Sequence, residues 1–193
     1  MTTFGQDTNA DINKSKKINF TKYSLNERVN FYPFNTTSKI VVVSFDKQVK
    51  KIDSSDWKLG KSAYKDYTGD IKYGLPFLND TICFSKLTQT RILNSNQVDS
   101  LTDILYNTCY RWTITEENPA MCYLPHNAIL FFDNNDKIFD YIEICFDCHQ
   151  FKYSSKKIEK FEQCDFAVVE LKKYFKQMGL YVTEKDFDNK TSR

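Results

Sequence analysis

Cys145-Phe146-Asp147-Cys148-His149 sets two thiols and an imidazole within five residues. Upstream, Cys122 and His126 form a second pair, three residues apart, with Pro125 between them. Thiolate sulfur and neutral imidazole nitrogen are the ligands that zinc prefers, and a structural zinc takes four of them in a tetrahedron. Two thiols separated by two residues can instead cycle between dithiol and disulfide. The candidate metal set is therefore Cys122, His126, Cys145, Cys148 and His149. These residues fall on both sides of a predicted hairpin, where antiparallel pairing returns the loop entering one strand to the exit of the other.

Each chemistry meets an obstacle in the local sequence. Metal knuckles carry glycine or another small residue where the chain bends, whereas Phe146 and Asp147 fill this gap. The run Cys145 to His149 also resembles the haem-attachment motif of c-type cytochromes, Cys-x-x-Cys-His. That resemblance covers five residues and implies thioethers at Cys145 and Cys148 with His149 as axial ligand. It would also require export, a second axial ligand and usually a helical setting, so c-type haem is the weaker expectation and zinc the stronger. A catalytic dithiol is normally activated at a helix N-terminus, yet this pair follows a predicted strand. The plain alternative is that the thiols pack in the sheet or form one disulfide, because cysteine is among the most buried residue types whatever its reactivity. Cys83, Cys109 and Cys164 stand singly among apolar neighbours and read as small buried hydrophobes. Six cysteines permit three disulfides, and spacing alone does not set their connectivity.

Other charged clusters suit ordinary roles. Asp133 and Asp136 belong to a predicted turn, and Asp140 and Glu143 to a solvated strand face. Lys156, Lys157, Lys160, Lys172, Lys173 and Lys176 alternate with Glu159, Glu162, Asp165 and Glu170, as on a solvated helix. With 27 basic and 25 acidic residues the net charge is +2, too small to steer nucleic acid. Five glycines and neither GxGxxG nor GxxxxGK[ST] argue against a phosphate cradle.

The elements that must position these groups follow from periodicity. Aromatics make up 16% of the 193 residues, which tilts the expectation toward sheet. Residues 1–17 read as a flexible leader, 18–182 as one α+β domain and 183–193 as a frayed tail. Asn19 to Phe34 is expected to be extended, with Pro33 confining it to an edge. Lys39 to Phe45 is a β-branched run apolar on successive positions, hence a central strand buried on both faces. Residues 46–80 read as an irregular excursion. One or two short strands are expected around Ile82–Phe84 and Thr90–Leu93.

Asn94 and Gln97 have capping-box spacing ahead of the stripe Val98, Leu101, Ile104 and Leu105, which predicts a helix over 95–107. Tyr110 to Thr115 alternates like a strand. Asn127–Asp133 and Lys137–Phe146 flank an Asn/Asp turn, the strongest hairpin signal present. Asp165 is expected to cap a last helix over about 165–178, with Gly179 as its stop. The predicted fold is thus α+β: an antiparallel sheet of five to seven strands with two helices packed on it.

No apolar run approaches the roughly 20 residues that span a bilayer, so no membrane partner is expected. The polar stretch Met1 to Lys17 lacks the apolar core of a signal peptide. The chain as it stands reads as cytoplasmic, or extracytoplasmic if a signal has been removed. Lacking a glycine loop, a histidine-rich site or a nucleophile motif, it reads as a non-enzymatic binding or interaction protein of the inhibitor, adaptor or immunity type, with a protein partner. The alternatives are a zinc protein built on the Cys/His cluster or a thiol-redox protein using Cys145 and Cys148.

Overall fold

The computed structural model describes residues 22–46, 74–78, 81–111 and 123–183. These form a five-stranded antiparallel sheet with three α-helices, an α+β fold. The strands are β1 (Lys39–Phe45), β4 (Leu87–Ile92), β5 (Asn127–Phe132), β6 (Ile138–Cys145) and β7 (Gln150–Tyr153), in the order β4-β1-β5-β6-β7. A separate two-stranded ribbon joins β2 (Phe77–Leu78) to β3 (Thr81–Ile82). The helices are α1 (Leu25–Asn30), α2 (Ser95–Asn107) and α3 (Asp165–Gln177).

β1 takes the interior position its sequence requires, between β4 and β5, with Ile40 to Phe45 all buried. Alternation then sends Ile40 and Val42 to one side and Val41, Val43 and Phe45 to the other. On the first side Ile129, Phe131, Ile142 and Ile144 join a large core with Leu101 and Leu105 of α2 and Leu171 and Phe175 of α3. On the second side Ala128, Leu130 and Phe132 form a smaller core in which, among the described residues, Leu75 and Ile82 are the buried partners from outside the sheet. The β5–β6 hairpin closes through the expected turn. Asp133 Oδ1 accepts from the backbone N–H groups of Asn135 and Lys137, and Asp136 takes the left-handed conformation at φ 63°.

Both long helices are as read from sequence, and their ends explain why. Asn94 and Gln97 form the reciprocal capping box at α2. At α3, Gly179 adopts φ 73°, its N–H reaches the Lys176 carbonyl, and the Leu180 N–H reaches that of Phe175. This is the paired-bond stop that a left-handed glycine allows.

Several expectations are corrected. Residues 25–30 are helical rather than extended, because Ser24 and Glu27 make a second capping box. The buried Arg28 fastens that helix to α2 through Asp99, Asp103 and the Thr102 hydroxyl. Asp165 is the first residue of α3 and Cys164 its N-cap. Tyr110 and Arg111 continue from α2 as a 3-10 turn instead of opening a strand; Trp112 to Thr115 lie outside the described residues, as do the leader 1–17, the tail from 184 and most of 46–80. Residues 150–153, to which the sequence assigns no element, form the edge strand β7.

Candidate functional site

The Cys/His cluster sits where β6 ends. Cys145 is its last residue, Phe146–Cys148 form a 3-10 turn, and His149 reverses the chain into β7 in the left-handed conformation. The sulfurs of Cys145 and Cys148 lie at disulfide-bonding distance with their Cα atoms 5.3 Å apart, and both residues are buried. His149 turns outward from them, with Nδ1 2.5 Å from Asp165 Oδ1 at the start of α3. Beside it, the Thr183 hydroxyl donates to Asp147 Oδ1 at 2.8 Å. Two contacts thus tie this turn to the start of α3 and to the segment that follows it.

His126 lies on the same hairpin. Asn127 faces Ile144 in the β5–β6 register, so His126 and Cys145 fall one step further along adjacent strands. The His126 ring nevertheless addresses the neighbouring strand, with Nδ1 3.2 Å from the Phe45 carbonyl oxygen. Cys122 lies outside the described residues. Among the described residues no three cysteine, histidine, aspartate or glutamate side chains come together as a ligand set for a cation. Of the candidate metal set, then, Cys145 and Cys148 are joined to each other, while His126 and His149 each face a different partner.

The remaining thiols correct the view of them as isolated hydrophobes. Cys109, in the 3-10 turn after α2, and Cys164, at the N-cap of α3, lie at disulfide-bonding distance with Cα atoms 5.8 Å apart. They join two helix ends across 55 residues of chain. Cys83 is free and half-buried, its sulfur 3.3 Å from the Ser85 hydroxyl.

Two carboxylates that sequence assigns to solvent are buried: Asp140 is 3% and Glu143 2% exposed. On the helix side, Asp140 accepts hydrogen bonds from the hydroxyls of Tyr32, Ser154 and Ser155. Partial burial, reinforced by the Asp140 carboxylate, pushes the Tyr32 phenol up to about 12. On the opposite side, Glu143 Oε1 accepts the Leu75 backbone N–H at 2.7 Å, and Oε2 accepts the Tyr123 hydroxyl at 3.1 Å. Lys152 Nζ stands 3.7 Å from Oε2. Burial, and then the charge of Glu143, holds the Tyr123 phenol above its ordinary value. A Cβ on Gly74 would fall 2.4 Å from Glu143 Oε1, and Gly74 has φ 141°, so only glycine fits over this carboxylate. Glu143 is thereby the anchor that fastens the segment 74–78 onto the sheet.

Around that anchor the second sheet face shows aromatic surface. The Phe77 ring packs 5.7 Å from that of Tyr141 and Phe84 6.2 Å from that of Phe132, yet both phenylalanines remain about half exposed, 47% and 49%. Ile92, opposite Val41 and hence on the same face, is 67% exposed. No sequence signal marked this surface, since Phe77 and Phe84 were indistinguishable from core residues by type.

The chain matches no protein-family model, no curated protein and no solved structure. Among the described residues no helix is long and apolar enough to cross a membrane.

Proposed function

We propose that the protein is a binding or interaction protein that engages a protein partner through the second face of its sheet. The observation that carries this is the grouping of Phe77, Phe84 and Ile92, three large apolar side chains 47%, 49% and 67% exposed on one face. Exposed apolar surface of this kind costs solubility unless something covers it, and aromatics are enriched at the centres of protein interfaces. The anchor at Glu143 gives that surface a fixed backbone, so little ordering is required on binding.

Tagged full-length chain, in wild-type form and with Phe77→Asp and Phe84→Asp together, tests the proposal by affinity capture from extracts of the source cell. A discrete protein captured in near-stoichiometric amount by the wild type and lost by the double variant supports it. The same proteins on both baits would defeat it.

A second reading, thiol–disulfide exchange at Cys145 and Cys148, is favoured by the approach of their sulfurs to bonding distance. The burial of both residues weighs against it, because exchange requires in-line attack by an external thiolate. Zinc on these thiols would first require their reduction. Maleimide labelling after mild reduction discriminates: a catalytic pair labels in the native protein, a structural pair only after denaturation. The two cystine pairings also favour folding in an oxidising compartment rather than the cytoplasm.

A further inference from the structure

We propose that the Asn35 side-chain amide is an N-glycosylation acceptor, which places an oligosaccharide on the turn leading into β1. The modification does not depend on the partner-binding face.

Asn35-Thr36-Thr37 has the acceptor pattern, an asparagine followed two residues later by a hydroxyl side chain with no proline between them. Among the described residues no other asparagine is followed in this way. Asn26, Asn30, Asn96, Asn107 and Asn127 lie in helices or strands, and the residues two positions on are Arg28, Tyr32, Val98, Cys109 and Ile129. The pattern is thus absent from every described element, where a carbohydrate would collide with packed neighbours. It recurs at Asn13, Asn19, Asn79 and Asn189, all outside the described residues.

The fold leaves Asn35 available. Its backbone N–H reaches the Phe31 carbonyl at 3.2 Å, and those of Thr36 and Thr37 both reach the Pro33 carbonyl. Phe34, next to it, is buried in the helix-side core, so the turn is anchored from beneath. The Asn35 side chain itself is exposed and has no hydrogen bond among the described residues. A bulky polar group attached there displaces only solvent.

Thr37 serves the acceptor first and the fold afterwards. In the finished structure its hydroxyl is engaged by the carbonyls of Lys39 at 2.9 Å and Phe132 at 3.0 Å. Phe132 lies 95 residues further along the chain. On a growing chain the hydroxyl is therefore free of that bond while Asn35 is presented, and it docks onto the sheet later. The pairings Cys109–Cys164 and Cys145–Cys148 favour folding in an oxidising compartment, the setting in which such transfer takes place.

The reaction is a substitution with no change of oxidation state. Asn35 Nδ2 forms a bond to the anomeric carbon of an oligosaccharide carried on a polyprenyl diphosphate. The bond from that carbon to the diphosphate oxygen breaks, its electron pair leaves with the lipid diphosphate, and the amide proton passes to a base of the transferase.

Tryptic mapping of the chain purified from its source cell tests the proposal, because Val29–Lys39 is released as one peptide. Mass spectrometry is expected to find it enlarged by an oligosaccharide. Treatment with a peptide N-glycosidase in heavy-oxygen water should then leave labelled aspartate at position 35. Asn35→Gln should abolish the mass increase, and Thr37→Ser, which keeps the hydroxyl, should retain it. An unmodified Val29–Lys39 peptide in the wild-type protein overturns the proposal, as does carbohydrate that persists on this peptide in Asn35→Gln. Phe77→Asp with Phe84→Asp should leave the oligosaccharide in place, which separates this outcome from loss of the partner-binding face.

Discussion

The two faces of the sheet each bury a carboxylate within one strand, and they use it differently. Asp140 faces the helix layer and is satisfied by three hydroxyls at the rim of a large apolar core. Glu143 faces the other way and holds a single loop by its Leu75 N–H, with the Tyr123 hydroxyl and Lys152 completing its surroundings. The first face draws its cohesion from helices that interdigitate with the sheet. The second lacks such a layer among the described residues and relies on one polar clamp. On the proposed reading stability and recognition lie on opposite sides, and substitutions on the two faces should differ in kind.

Phe175→Ala should have the largest effect. Phe175 is fully buried and packs edge-on to Phe146 at 5.4 Å, so truncation should cost about 3–5 kcal/mol in a denaturant titration. Replacing Cys109 and Cys164 together by alanine opens a loop spanning 55 residues. Chain entropy puts that loss at about 4 kcal/mol, against about 2 for the short Cys145–Cys148 loop. Equal destabilisation by the two double substitutions would show that the helix side does not depend on its long-range link.

Glu143→Ala comes next, at about 1–3 kcal/mol, because it leaves the Leu75 N–H and Tyr123 hydroxyl without their acceptor. Gly74→Ala should also destabilise, through contact with Glu143 Oε1 and through its φ of 141°. In the double variant the contact disappears while the backbone strain remains. The combined loss should therefore fall short of the sum. Simple additivity would mean that residue 74 does not rest on residue 143.

Legibility from sequence followed local signals rather than the division between the two faces. Helix α2, the β5–β6 hairpin and the end of α3 were readable because local signals, a capping box, an Asn/Asp turn and a stop glycine, agree there with the hydrophobic period. Helix α1 carried the same kind of signal in Ser24 and Glu27, but Pro33 and the aromatic run nearby outweighed it. Asp140 and Glu143 were misplaced because charge predicts exposure only when no donors wait in the fold, and their donors come from 14 or more positions away. The Cys109–Cys164 pairing was hidden for the same reason. It depends on how α2 and α3 pack, which spacing does not encode. The turn at Cys145–Cys148 was visible as a pattern, whereas the separate partners of His126 and His149 were not.

Alkaline titration offers a smaller, directional test of the helix-side carboxylate. The Tyr32 phenol is raised from 10 to about 12, first by desolvation and then by Asp140. A group raised in the folded state holds its proton after the unfolded chain has released it. Its contribution is therefore complete below pH 10 and lost as pH rises through about 12. Tyr32→Phe should flatten the fall in stability across that window. It should also remove one late-titrating tyrosine from the absorbance profile, whereas an unchanged profile would mean that Tyr32 does not meet Asp140 in solution.

Phe84→Ser should have the smallest effect on stability, and that is why it is informative. The ring is about half exposed and packs 6.2 Å from that of Phe132, so its loss should cost no more than about 1 kcal/mol, as for surface positions generally. If Phe84 served the fold as Phe175 does, the melting temperatures of the two variants would fall together. A near-silent Phe84→Ser protein that no longer retains its partner would instead assign the aromatic surface to recognition, and a large drop in melting temperature would return Phe84 to the core.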